Sequence, residues 1–169
     1  MKRILVIGTS GSGKSTLAKR LSERLQLPFF PSDNFYWELD WKIASPDKVH
    51  QKVKDVISKD AWILDGNFDD QHEFVWKQAE CIIWLDYSLL TILKQILSRN
   101  LNWVLTRQST WSGNKMTMQR AISGIRHAVK SYSLKKEIYP RLLTDLTGVT
   151  IFRFCSKQET EMWLQGLNQ

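Results

Sequence analysis

The sequence predicts an α/β fold in which a parallel sheet carries helices on both faces, and three observations predict it. Short apolar runs bounded by turn residues recur at 4–7, 29–30, 61–64, 81–85 and 149–154. Between them the apolar residues fall at every third or fourth position, the spacing of amphipathic helices. The first run leads directly into a glycine-rich turn, Gly8-Thr9-Ser10-Gly11-Ser12-Gly13-Lys14-Ser15-Thr16, behind which Leu17, Leu21 and Leu25 continue as a helix. Alternating strands and helices pack as three layers, and no internal repeat, low-complexity tract or linker divides residues 1–169, which are expected to form one domain.

The glycine turn fits G-x-x-x-x-G-K-[ST], the pattern of a phosphate-binding loop between a strand and a helix. A polyphosphate is wrapped by backbone N–H groups, and Gly8, Gly11 and Gly13 let the chain curl around it. Lys14 is placed to reach the β- and γ-phosphates and Ser15 to give a hydroxyl to Mg²⁺. The helix that follows turns its positive end toward the anion.

The second strand delivers Asp33 just past its C-terminal end, the edge where open parallel sheets bind ligands. Ser45-Pro46-Asp47 is a helix start, and Val49, Val53, Val56 and Ile57 mark the buried stripe behind it. The third strand ends in Asp65-Gly66 and the fourth in Asp86. From Leu89 the spacing of Leu93, Ile96, Leu97, Leu101 and Val104 predicts a long helix, fading into a polar stretch at 108–114 that reads as a lid within a region of about 105–120. A second long helix is expected from Lys115, with Met118, Ile122, Ile125, Val129 and Tyr132 on its core face and an end before Pro140. Ser156-Lys157-Gln158-Glu159 is a capping box for the last helix.

With 43% hydrophobic residues and no apolar run of membrane-spanning length, the chain reads as a soluble cytoplasmic protein. Cys81 and Cys155 lack metal-ligand spacing and stand with only three histidines, so two buried, reduced thiols are expected. The net charge of +7 is concentrated: residues 90–141 carry +9 and the remainder −2. Such a segment suits a phosphate-bearing ligand or nucleic acid, and equally a solvated helix face. A guanine-specific GTPase is disfavoured, because Asn114-Lys115-Met116-Thr117 has Thr where Asp is required. The glycine spacing and Lys14 also exclude a dinucleotide fingerprint.

The loop with Asp33 nineteen residues after Lys14, the Trp62-Ile63-Leu64-Asp65-Gly66-Asn67-Phe68 run and the basic segment resemble the adenylate-kinase-like P-loop kinases of nucleotides and small molecules. More closely, Asp33-Asn34-Phe35-Tyr36-Trp37 with Trp41, followed by Asp65-Gly66-Asn67-Phe68, resembles the bacterial FlaR-like DNA topology modulation proteins. The resemblance implies a five-stranded parallel sheet in the order 2-3-1-4-5, ATP and Mg²⁺ as cofactors, and Gly11 to Thr16 on the phosphates. It implies Asp65 on the metal or the substrate, and Asp33 as the acid that contacts an acceptor hydroxyl. Gly66, Asn67, Trp37 and Arg99 join the expected substrate side, and Arg107 and Arg120 join Lys14 as charges on the transferring group.

Two departures qualify the resemblance. Where adenylate kinases hold the acceptor's phosphate with arginines, this chain has Asp69, and Tyr36 stands in the second region, so AMP is disfavoured as acceptor. The aromatic set Phe35, Tyr36, Trp37 and Trp41 suits stacking on a base or sugar ring as well as core packing. The expected function is transfer of the γ-phosphoryl group of Mg-ATP to a small hydroxyl acceptor. A nucleotide-dependent DNA-binding protein is the rival, and an ATPase coupled to a partner is a third reading. No DNA-reading motif is present, and the apolar stripe at 118–129, taken as core, argues against the rival. The residues name neither the acceptor nor an oligomeric state.

Overall fold

The computed structural model describes residues 1–106 and 117–167. Five parallel strands, β1 (Arg3–Gly8), β2 (Phe29–Pro31), β3 (Trp62–Asp65), β4 (Cys81–Leu85) and β5 (Thr150–Phe154), form one sheet in the order β2-β3-β1-β4-β5. The helices are α1 (Lys14–Leu25), α2 (Asp33–Tyr36), α3 (Pro46–Ile57), α4 (His72–Trp76), α5 (Leu89–Thr106), α6 (Met118–Thr144) and α7 (Lys157–Gly166). This is the strand order that the resemblance implied.

The three central strands are buried on both faces, which is why they read as unbroken apolar runs in the sequence. Alternate residues divide between two cores. Leu5, Ile7, Leu64, Ile82 and Trp84 pack with α3, α4 and the end of α6, whereas Ile4, Val6, Ile63, Ile83 and Leu85 pack with α1, α5 and α7. Register between strands, with Leu5 opposite both Leu64 and Ile82, keeps each core in continuous layers.

Local signals set the helix starts. Ser45 Oγ accepts the Lys48 N–H at 3.4 Å with Pro46 in the first turn, and Val49, Val53, Val56 and Ile57 are all buried as expected. At α7, Ser156 Oγ accepts the Glu159 N–H at 3.2 Å, and the Glu159 carboxylate accepts the Cys155 N–H at 2.8 Å. That reciprocal closure is the capping box displaced by one residue, each cap contributing about 1 kcal/mol.

The long helices overturn two expected stripes. α5 buries Ile92, Ile96 and Asn100, while Leu97 and Leu101 are 56% and 58% exposed. α6 buries Ala121, Ala128, Lys135, Tyr139 and Leu143, leaving Met118, Ile122 and Val129 exposed and Ile125 and Tyr132 half-buried. The face at 118–129 is therefore not wholly committed to the core, and the argument it supplied against a DNA-binding surface fails. Close approach decides the buried positions: α5 and α6 touch where Asn100 Nδ2 donates to the Ala121 carbonyl at 3.4 Å, and a small side chain suits such contact better than leucine.

α6 starts at Met118 instead of Lys115, with Thr117 Oγ1 accepting the Arg120 N–H at 3.3 Å. It also runs through Pro140, because Tyr139 and Leu143 on either side are anchored in the core and offset the lost hydrogen bond. Cys81 is buried, and burial pushes its thiol up to about 12; Cys155, at the end of β5, is exposed, contrary to expectation. The segment expected as a lid at 108–114, the candidate Arg107 and the side chain of Val104 lie outside the described residues. No described helix is long and apolar enough to cross a membrane.

Candidate functional site

The site is built where β1 stops. The Gly8 N–H donates to Asn67 Oδ1 at 2.9 Å, which ties the loop after β1 to the loop after β3. Asn67, expected on the substrate side, thus holds the phosphate loop in place, and its carbonyl accepts the Trp76 indole N–H at 2.9 Å. The loop then turns with the Ser12 N–H on the Thr9 carbonyl at 3.1 Å and enters α1 through Gly13. α5 lies directly against it: Gly11 has φ +84, and a Cβ there would run into Ile96. Glycine is required at this position for both the dihedral and the approach.

Lys14 Nζ donates to the Gly8 and Thr9 carbonyls at 3.0 and 3.2 Å, so the ammonium folds over the cradle. Burial brings its pKa down to about 8, against the pull of Asp65 and Asp33. Ser15 and Thr16 are exposed at the start of α1. Ser12 Oγ is buried and has no hydrogen-bond partner among the described residues. Such an orphan inside a glycine cradle is the state an incoming phosphate oxygen relieves.

Neighbouring strands β2 and β3 supply the acids. Pro31 is in register with Asp65, whose buried Oδ1 accepts the Ser32 N–H at 2.8 Å. Gly66, with φ +133, leaves room for Ser32, whose side chain a Cβ would strike. Asp33 follows Ser32 at the start of α2. Burial, reinforced by Asp65 and opposed by Lys14 and Arg99, raises Asp33 to about 6. Lys14, Asp33 and Asp65 therefore act on one another as a cluster.

Two further cations act on Lys14. Arg99, half-buried on α5 with its guanidinium 4.6 Å from the Trp103 ring, is itself lowered by burial while Asp33 pulls it up. Lys135 on α6 is the one the sequence reading missed. Its ammonium donates to Asp69 Oδ2 at 2.9 Å and to the Tyr139 hydroxyl at 3.0 Å, and that hydroxyl donates to Asp69 Oδ1 at 2.7 Å. Asp69 is thus compensated, and the repulsion expected between it and an acceptor phosphate does not hold in that form. Lys135 was hidden in the sequence among a run of basic residues; its only signal was a helical spacing of four from Tyr139.

The other expected residues divide. Phe35 belongs to the core and Tyr36 packs toward Phe68 at 6.3 Å. Trp37 meets Trp41 edge-on at 5.3 Å, and the exposed Arg120 lies 5.0 Å over the Trp41 ring. Among the described residues the charges that act on Lys14 are Asp65, Lys135, Asp33 and Arg99, and Arg120 is not one of them. For a metal, the oxygens that could serve are the Ser15 hydroxyl and the Asp65 carboxylate, both hard donors. Among the described residues no three His, Cys, Asp or Glu side chains make a cage. That set fits Mg²⁺, which takes most of its ligands from phosphate and water.

Comparison with known proteins bears on the family and the fold. A family model described as an AAA domain matches residues 4–117. A stretch of 67 residues is 37% identical to the uncharacterized protein YqaC of Bacillus subtilis strain 168, spanning 38% of each chain, so this chain covers well under half of that relative. Among solved structures, the shikimate kinase of Bacteroides thetaiotaomicron aligns with a TM-score of 0.60 at 15% identity, covering 99% of this chain and 96% of that one. The shikimate kinase of Acinetobacter baumannii in complex with shikimate gives 0.58 at 16%, covering 100% and 92%. The deoxyadenosine kinase of M. mycoides with bound dATP gives 0.52 at 16%, covering 98% and 99%. At these identities the likeness is one of fold, that of the P-loop kinases.

Proposed function

The chain belongs to the AAA domain family, and from that premise we propose that it is a cytoplasmic phosphotransferase that moves the γ-phosphoryl group of Mg-ATP to a small hydroxyl acceptor. The observation that carries the reading is the convergence of Lys14, Asp33 and Asp65 at the end of β1, β2 and β3, with Asp33 raised to about 6. A carboxylate poised near neutrality and beside the phosphate loop orients an acceptor hydroxyl and takes its proton as the phosphoryl group arrives. Lys14 exchanges its two loop carbonyls for phosphate oxygens and offsets charge on the transferring group, with Arg99, Arg107 and Arg120 as the further cations assigned to it. Ser15 and Asp65 would hold Mg²⁺, which when bound neutralises the phosphates. Trp37 and Gly66 border the acceptor side.

The test is acceptor-dependent ADP release across pools of nucleosides, nucleotides and small polyols. A stimulated rate that disappears in Lys14→Ala supports the reading, and no stimulation by any pool refutes it.

A nucleotide-dependent DNA-binding or topology-modulating protein of the FlaR-like kind is the second reading. It is favoured by α6, where Arg120, Arg126, Lys130 and Lys136 are exposed beside Met118, Ile122 and Val129. A DNA surface predicts duplex affinity that falls with salt at a log–log slope of roughly −0.9 per phosphate contacted. Binding with that slope and no acceptor-stimulated turnover would place this reading first.

A further inference from the structure

Lys135 on α6 is buried, and no step of phosphoryl transfer calls for it. A buried ammonium is costly unless its donors find acceptors, and the chain supplies them. Asp69 takes the ammonium on Oδ2 at 2.9 Å and the Tyr139 hydroxyl on Oδ1 at 2.7 Å, while that hydroxyl accepts from the ammonium at 3.0 Å. The Tyr139 ring stands edge-on to the buried Trp76 at 5.2 Å and Trp84 at 5.9 Å, so one side of this lock is fixed by the core.

The other side is the loop after β3, where three consecutive residues are tied down. Asn67 accepts the Gly8 N–H on Oδ1 and the Trp76 indole N–H on its carbonyl, each at 2.9 Å, and Asp69 is held by the lock. Between them the buried Phe68 has φ +52, a left-handed conformation that a bulky side chain rarely adopts. Strain of this kind persists only where the residues on both sides are anchored. Releasing Asp69 would let Phe68 relax, turn Asn67 and carry its amide off Gly8.

We propose that Lys135, together with Asp69 and Tyr139, is a positioning residue for the phosphate loop: the lock holds Phe68 strained and so keeps the Asn67 amide on the Gly8 N–H. Its value to the reaction rests on the nucleotide reading of that loop, whereas the positioning does not. Lys14 folds onto the carbonyls of Gly8 and Thr9, so a loose Gly8 misplaces the ammonium that meets the phosphates. A contact made from α6 is thus felt at the end of β1.

Two measurements test it. Amide exchange of Gly8, followed by NMR without nucleotide, reads the hydrogen bond, and equilibrium titration with Mg-bound inorganic triphosphate reads the loop. Asp69 is 56% exposed and keeps its hydration when the ammonium is removed, so Lys135→Met is expected to fold. Its Gly8 exchange should quicken about tenfold and its triphosphate affinity fall about three- to tenfold. Tyr139→Phe keeps the ring between the tryptophans and changes no charge; both readouts should move the same way by about two- to threefold, and it carries the test if the methionine variant does not fold. In an Asn67→Ala background Lys135→Met should weaken triphosphate no further, the contact it acts through being gone. Unchanged Gly8 exchange in the folded lock variants overturns the proposal. So does a triphosphate loss in Lys135→Met that survives in the Asn67→Ala background, the mark of a charge acting at a distance. A wild-type protein that binds no triphosphate refutes the nucleotide reading, and Gly8 exchange still decides the lock.

Discussion

Asp65 at the end of β3 and Asp86 just past β4 stand at the same edge of the sheet on either side of β1, and both are buried, at 2% and 5% exposed. Their partners differ. Asp86 Oδ2 accepts from Arg153 Nε and a terminal nitrogen at 3.1 and 2.6 Å, with Lys136 at 3.7 Å on the other oxygen. Arg153 also lies 4.5 Å over the Trp84 ring, so the pair is locked by packing as well as charge. Asp65 has a backbone N–H and a second carboxylate, Asp33, with Lys14 as a counter-charge. The acid after β4 is fully compensated and fastens β5 and α6 to the sheet. The acids after β2 and β3 are held in mutual repulsion, which is worth keeping only where a ligand or a proton transfer uses it. A buried acid at a strand end is thus no sign of chemistry by itself; the state of its compensation is.

Breaking the reactive side should have the largest effect. Lys14→Ala is expected to lower kcat/KM for Mg-ATP by about 10³–10⁵-fold, loss of ground-state binding adding to loss of transition-state stabilisation, with the thermal transition retained. Steady-state kinetics on the folded variant checks this.

Asp33→Asn is expected to cut acceptor phosphorylation by about 10²–10⁴-fold while sparing ATP affinity. The wild-type profile of kcat/KM should rise as Asp33 ionises near about 6 and fall as Lys14 loses its proton near about 8. The asparagine variant should lose the acid limb. Stability moves the other way. Asp33 is raised from 3.8 to about 6 on folding, so the folded state binds the extra proton between these values. Stability is then greatest below the unfolded pKa and declines as pH rises through the folded one. Denaturant titration should find Asp33→Asn more stable than wild type at pH 7, on the order of 3 kcal/mol, with no advantage at pH 3.5.

The smallest effect on chemistry is expected from the compensated side. Asp86→Asn should cost about 1.5–3 kcal/mol of stability, because the cations it leaves behind are half-exposed and keep their hydration, and turnover per folded molecule should change less than about twofold. A large loss of turnover in Asp86→Asn would erase the contrast between the two edges.

The phosphate loop and the strands were legible in the sequence because each is dictated by local chemistry: glycines at positive φ, a lysine, and apolar runs buried on both faces. Asp33 and Asp65 were legible as strand ends. What the neighbourhood did to Asp33 depended on burial and on Asp65, opposed by Lys14 and by Arg99, which reaches the site from another helix. The stripes of α5 and α6 were misread because counting leucines finds apolarity, whereas the buried faces hold Ile96 against a glycine, Asn100 against Ala121, and a lysine paired with an acid. The lock on Asp69 could not be picked out, since it exists only once α6 meets the loop after β3.

The central position of β1 also governs how the chain acquires its structure. β1 is made first, yet both of its hydrogen-bonded neighbours, β3 and β4, come from residues beyond Trp62. On the ribosome its apolar residues Ile4 to Ile7 wait with both edges open until Trp62–Asp65 and Cys81–Leu85 have emerged. Parallel pairing of this kind closes long loops before any contact rewards it, so folding is slow and the nascent chain exposes a strand prone to self-association. The same glycine loop that prepares the site thus hangs, during synthesis, from the segment most in need of protection.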